Sequence, residues 1–109
     1  MFKIDGTYIT LTRGDTFRCE VKIFTAEGEE YTPAEGDIIR FAMKKSAYDR
    51  IPLIKKTISH EDMLLEINPE DTQNLDFGTY IYDIQITLED GTVDTFIPDA
   101  RINIAVEVE

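Results

Sequence analysis

The chain lacks tryptophan, has one cysteine and one histidine, and carries only six glycines and four prolines in 109 residues. A single thiol, Cys19, excludes an internal disulfide, so the fold has to be held by packing, as suits a reducing compartment. No apolar run approaches the roughly 20 residues of a membrane span. Met1-Phe2-Lys3-Ile4-Asp5 also lacks the charged-then-apolar order of a secretory signal, and the expectation is a soluble, cytoplasmic product. Basic residues are scarce: 11 Lys and Arg stand against 22 Asp and Glu, a formal charge of −11. That argues against partners whose affinity is carried by clustered cations, namely DNA, RNA and anionic membranes, and none of them is expected. The acid excess suits solubility and protection of strand edges.

Catalytic constellations are missing too. His60 lies in the polar turn Ser59-His60-Glu61-Asp62 with no serine or cysteine placed to use it as a base. Cys19 alternates with apolar residues and reads as a packed, inert thiol. The acidic runs near 27–30, 61–62 and 70–71 lack the Asp-x-Asp-x-Asp-Gly spacing that wraps oxygen ligands round calcium. No metal, no cofactor and no enzymatic activity is expected.

What is present is alternation. With 42% hydrophobic content, residues 1–109 suffice for one domain with one core. Phe2–Asp5 and Tyr8–Thr12 read as one strand broken at Gly6. Arg13-Gly14-Asp15 makes a tight turn in which Gly14 supplies a positive φ, and this reading is preferred to an integrin-type exposed tripeptide. Thr16–Phe24 alternates with Phe17, Cys19, Val21 and Ile23 inward. After turn signals through 25–37, Ile38–Lys45 is a strand with Ile39, Phe41 and Met43 inward. Leu53–Ile58, carrying Lys55-Lys56, reads as an edge strand, and Met63–Ile67 as the next. Asn68-Pro69-Glu70-Asp71 combines an N-cap residue, an N1 proline and first-turn acids, which predicts one helical turn.

Thr79–Glu89 alternates strongly, with Tyr80, Tyr82, Ile84, Ile86 and Leu88 on one face. Asp90-Gly91 reads as a two-residue type I′ loop that pairs Glu89 with Thr92 and turns Val93, Thr95 and Ile97 inward. On this register Phe96 faces Gln85 on the outer side; it and Ile81 are either scattered exposed residues or ones covered by the returning C-terminal strand, or else they join Ala100 and Ala105 in a docking face. Pro98-Asp99 should break the ladder, and the alternation of 100–109, with Ile102, Ile104, Val106 and Val108 on one side, should then cross to another edge or sheet.

Asp76-x-Gly78-x-Tyr80-x-Tyr82 resembles the entry to strand F of immunoglobulin-like sandwiches, with Tyr82 in the place of the disulfide cysteine. The resemblance implies that Tyr80 is a tyrosine corner and that Phe41 fills the volume of the missing core indole. The fold class expected is therefore all-β, an immunoglobulin-like β-sandwich of about seven to nine antiparallel strands with one short helical turn before strand F.

Thr12-Arg13-Gly14-Asp15-Thr16, Glu35-Gly36-Asp37 leading into Ile38–Lys45, and Gly78–Ile84 with Asp90-Gly91 and Asp94–Ile97 resemble small β-sandwich proteins of tailed phages and prophages. They are similar in particular to the N-terminal domain of phage baseplate upper proteins. That resemblance implies a non-enzymatic virion-associated structural or assembly module whose partners are other virion or assembly proteins, or a second copy of the chain. It implies a location in the virion after synthesis; those proteins continue into further domains, and a receptor-binding or trimerising part is not expected within residues 1–109. The alternative is a carbohydrate-binding or adhesion-type module, for which Tyr8, Tyr31 and Tyr48 are the available outward platforms.

Overall fold

The computed structural model describes the backbone of residues 2–5, 8–24, 27–46 and 48–106, and the side chains of these except 2–5 and 96–99. In chain order the elements are β1 (Phe2–Asp5), β2 (Tyr8–Thr12), β3 (Phe17–Glu20), β4 (Ile23–Phe24) and β5 (Glu30–Tyr31). There follow β6 (Ile38–Lys44), β7 (Ile54–Ile58), β8 (Leu64–Ile67), α1 (Pro69–Thr72), β9 (Gly78–Thr87) and β10 (Val93–Ala105). The protein is all-β apart from the single turn of α1.

Six strands form one sheet in the order β1-β2-β10-β9-β6-β7, while β3 with β8 and β4 with β5 form two short ladders. The centre of the sheet is β9. It pairs antiparallel with β6 from Ile38↔Thr87 to Lys44↔Ile81 and with β10 on its other side. Period-two alternation sends Tyr80, Tyr82, Ile84 and Ile86 to the inner face, beside Ile39, Phe41 and Met43 of β6, which are fully buried. Phe17, Leu65 and Ile67 of the β3–β8 ladder join them in one continuous cluster. Phe41 packs on Tyr82 with ring centroids 5.3 Å apart.

Several expectations are corrected. β1 and β2 do not run on as one interrupted strand; they fold back on each other, Phe2↔Leu11 to Asp5↔Tyr8, while Gly6 lies outside the described residues. β2 then pairs parallel with β10 (Ile102↔Ile9 to Ala105↔Thr12), so the pairing is not wholly antiparallel, and the described strands number ten. The strand expected over Thr16–Phe24 splits at Val21-Lys22. Met63 adopts a left-handed φ of 52° there, and its carbonyl accepts the Val21 amide at 2.7 Å, ending the β3–β8 ladder. As a result Cys19 is half-buried rather than enclosed.

The β9–β10 hairpin is also shifted. Leu88 N–H donates to the Thr92 carbonyl and Gly91 N–H to the Leu88 carbonyl, both at 2.8 Å, enclosing a three-residue loop of Glu89, Asp90 and Gly91. Only Gly91 takes a positive φ (93°), as a type I turn closed by a left-handed glycine requires, whereas a type I′ loop would need Asp90 there as well. The pairing is thus Val93↔Thr87 and Thr95↔Gln85, and Val93 and Thr95 are exposed instead of inward. Register shifts between Thr95 and Ile97 and between Ile97 and Ala100 let β10 pass through Pro98 without leaving the sheet. β10 therefore does not cross to another edge, and Val106 beyond its end is exposed.

On the inner side, edge strand β7 places Lys56 opposite Phe41, where its Nζ meets the Asp71 carboxylate of α1 at 2.7 Å. Asp71 also accepts the Asn68 amide at 2.8 Å. Burial would raise the Asp71 carboxyl, but the Lys56 ammonium and the Asn68 amide outweigh it and hold the group below the usual carboxylate range.

Candidate functional site

The corner before β9 is built from backbone and ring contacts. Gly78, at φ 138°, admits the turn, and the Tyr80 hydroxyl donates to the Asp76 carbonyl at 2.7 Å. The Lys45 ammonium lies 4.5 Å over the Tyr80 ring. Burial and the Asp76 charge raise the Tyr80 phenol. In the segment that leads into this corner, Thr72 Oγ1 accepts the Gly14 amide (φ 86°) at 2.9 Å, and Thr72 is the one buried polar side chain among the described residues. Arg13 donates to the Leu75 carbonyl at 3.2 Å and lies 4.1 Å over the Phe77 ring. The Arg13-Gly14-Asp15 turn is thereby fastened to the segment after α1.

Cys19, paired with Leu65, has its thiol pushed up by burial and by Glu20, which disfavours the thiolate. His60 sits in the turn between β7 and β8. Among the described residues no group of three or more His, Cys, Asp and Glu is arranged to hold a metal ion, and no helix is long and apolar enough to cross a membrane.

The expected docking face does not assemble. Ala100 pairs with Tyr82 and is buried on the inner side, because the second register shift reverses its direction. Ile81 is half-buried between Lys44 and Arg101 on the neighbouring strands, and the Phe96 side chain lies outside the described residues. Tyr8, Tyr31 and Tyr48 stand on three separate elements, and Tyr31 is committed to Asp37 at 2.6 Å.

Two other surfaces emerge at opposite ends of β6. The first is the β6–β7 connection. Residues 44–56 hold five of the 11 Lys and Arg and one acid, Asp49, leaving six basic residues against 21 acidic for the rest of the chain. Asp49 is turned on its own loop: Oδ2 accepts the Ser46 amide, and the Asp49 amide donates to the Ser46 carbonyl, each at 3.1 Å. Leu53 N–H closes the loop on the Met43 carbonyl at 2.8 Å. In this connection Tyr48, Ile51 and Leu53 are 95%, 81% and 50% exposed. Overall composition hides this segment because its excess of four positive charges, one of them (Lys56) paired with Asp71, vanishes in a total of −11. A windowed charge count reveals it.

The second surface is acidic. Segments 27–37 and 89–94 contain eight Asp and Glu and no Lys or Arg. They meet where the Asp37 carboxylate accepts the Tyr31 hydroxyl and the Ala34 amide, and where Gly36 approaches the Glu89 side chain. The Tyr31 hydroxyl, the Ala34 amide and the Glu89 amide hold the Asp37 carboxyl below its usual range. Beside this cluster is a groove of about 80 Å³ with Val21, Ile23, Pro33 and Met63 along it and the exposed Glu20 and Glu30 at its margin; Lys22 also reaches it. Compared with protein-family models, curated proteins and solved structures, the chain matches none.

Proposed function

We propose that the chain is a non-enzymatic assembly module of a tailed phage or prophage virion, built as an immunoglobulin-like sandwich and acting through protein–protein contacts. The observation that carries this reading is the contrast between one continuous apolar interior and the large apolar side chains left at the surface, of which Tyr48, Ile51 and Leu53 share the β6–β7 connection. Large apolar groups rimmed by charge are what a contact surface requires. The sandwich reading is supported by β9 lying between β6 and β10, as strand F lies between C and G, by the β3–β8 ladder in the place of strands B and E, and by the Tyr80–Asp76 bond.

The experiment is to induce the source culture, purify phage particles on a density gradient and probe them for the chain. The expected result is the chain in the particle fraction at a fixed ratio to the major structural proteins. Particles that assemble fully without it, with the chain confined to the soluble fraction, would overturn the proposal.

A further inference from the structure

The two ends of the molecule carry opposite charge, and one offers exposed apolar side chains where the other has a groove. At one end a loop offers Ile51 and Tyr48 in the same segment as Arg50, Lys44 and Lys55, while Lys45 lies over the Tyr80 ring and Lys56 is paired with Asp71. At the other, a groove along Val21, Ile23, Pro33 and Met63 is also reached by Glu20, Glu30 and Lys22, beside the Asp37–Glu89 cluster. A groove of about 80 Å³ has several times the ~15 Å³ that one water occupies, enough to receive one branched aliphatic side chain. The ends cannot meet within one copy. They are separated by the seven residues of β6, roughly 23 Å of extended chain, in a molecule 45 Å long.

We infer that the chain associates head to tail with a second copy of itself, the basic 44–56 tip of one copy docking on the acidic groove end of the next. Two different patches meet, so the contact is heterologous, and repetition makes a ring or a filament. The apolar side chain entering the groove supplies most of the affinity, while the opposed charges orient the encounter and make it sensitive to salt. The same charges disfavour every other pairing: two tips repel, and so do two acidic ends. This inference rests on the assembly-module reading for its purpose but not for its test, which uses the purified chain alone and can fail while the particle experiment succeeds.

The test is sedimentation velocity and equilibrium on three forms of the full chain: the unaltered protein, a tip variant (Tyr48→Asp with Ile51→Asp) and an end variant (Glu30→Lys with Glu35→Lys). All four positions are exposed, and circular dichroism checks that each variant remains folded. The unaltered chain should gain mass with concentration and lose it in high salt. Each variant alone should associate at least about tenfold more weakly. Mixed together, the two variants should form a 1:1 dimer that grows no further, because the mixture contains one intact tip facing one intact groove. An unaltered chain that stays at one copy up to about 1 mM overturns the inference. So do variants that associate as well as the unaltered chain, and so does a mixture in which both folded variants remain single.

Discussion

Tyr80 is gripped at both ends of its side chain, by the Asp76 carbonyl at its hydroxyl and by the Lys45 ammonium over its ring. Tyr80→Phe keeps the ring and leaves the carbonyl acceptor unpaired, and it should lower unfolding stability by about 1 kcal/mol; equilibrium denaturation with an unchanged midpoint would show the bond to be idle. Tyr82 differs because burial, with a smaller contribution from Cys19, pushes its phenol up to about 12 from 10.0. The folded state favours the protonated phenol, so this stabilisation is complete below pH 10 and is lost as pH rises through 12. Melting temperatures measured between pH 9 and 12 should fall more steeply for the unaltered chain than for Tyr82→Phe. Cys19 is half-buried with a raised pKa, so thiol labelling of the native protein should proceed, more slowly than in denaturant and faster as pH rises. Complete protection would mean that β3 is covered more fully than its exposure indicates.

At the scale of elements, α1 is short but acts as a junction. Thr72 is enclosed, accepts the Gly14 amide and thereby ties the turn before β3 to the segment leading into β9. Thr72→Val preserves shape and removes the acceptor, leaving a partly buried N–H unpaired, and should cost about 1–3 kcal/mol in chemical unfolding. Thr72→Ser, which keeps the oxygen, should recover most of that loss. The helix turn was legible from Asn68-Pro69-Glu70-Asp71, as were the inner faces of β6 and β9, because local chemistry and period-two burial act over a few residues. The register of β10 was not. Asp90-Gly91 is compatible with loops of two and of three residues, and the choice depends on how Leu88 and Thr92 pair, not on the dipeptide. Pro98 likewise signals a break, yet two register shifts absorb it. The basic tip escaped notice because its meaning lies in contrast with the remainder of the chain.

For the whole molecule, protection should follow distance from the margins of the six-stranded sheet. Amide hydrogen exchange should be slowest in β9 and in the facing stretches of β6 and β10, and fast in β1, β7 and the small β4–β5 ladder, since edge amides open by local fluctuation. Uniform protection across the sheet would indicate that only global unfolding exposes these amides. The molecule is thus most rigid between its two charged ends, which are turns and short ladders.

The parallel pairing of β2 with β10 also dictates a timetable. Ile9 cannot find Ile102, nor Phe41 its neighbour Ile84, until β9 and β10 have been made, because the two strands in the middle of the sheet follow all the others in the chain. Until then Ile39, Phe41 and Met43 lack the β9 neighbours that complete their burial. Closure over such long loops is slow, in the range of milliseconds to seconds for β-proteins of this kind. Meanwhile the excess of carboxylates, a net charge of −11, sets unfolded copies against one another, so like-charge repulsion opposes their association before any folded surface exists.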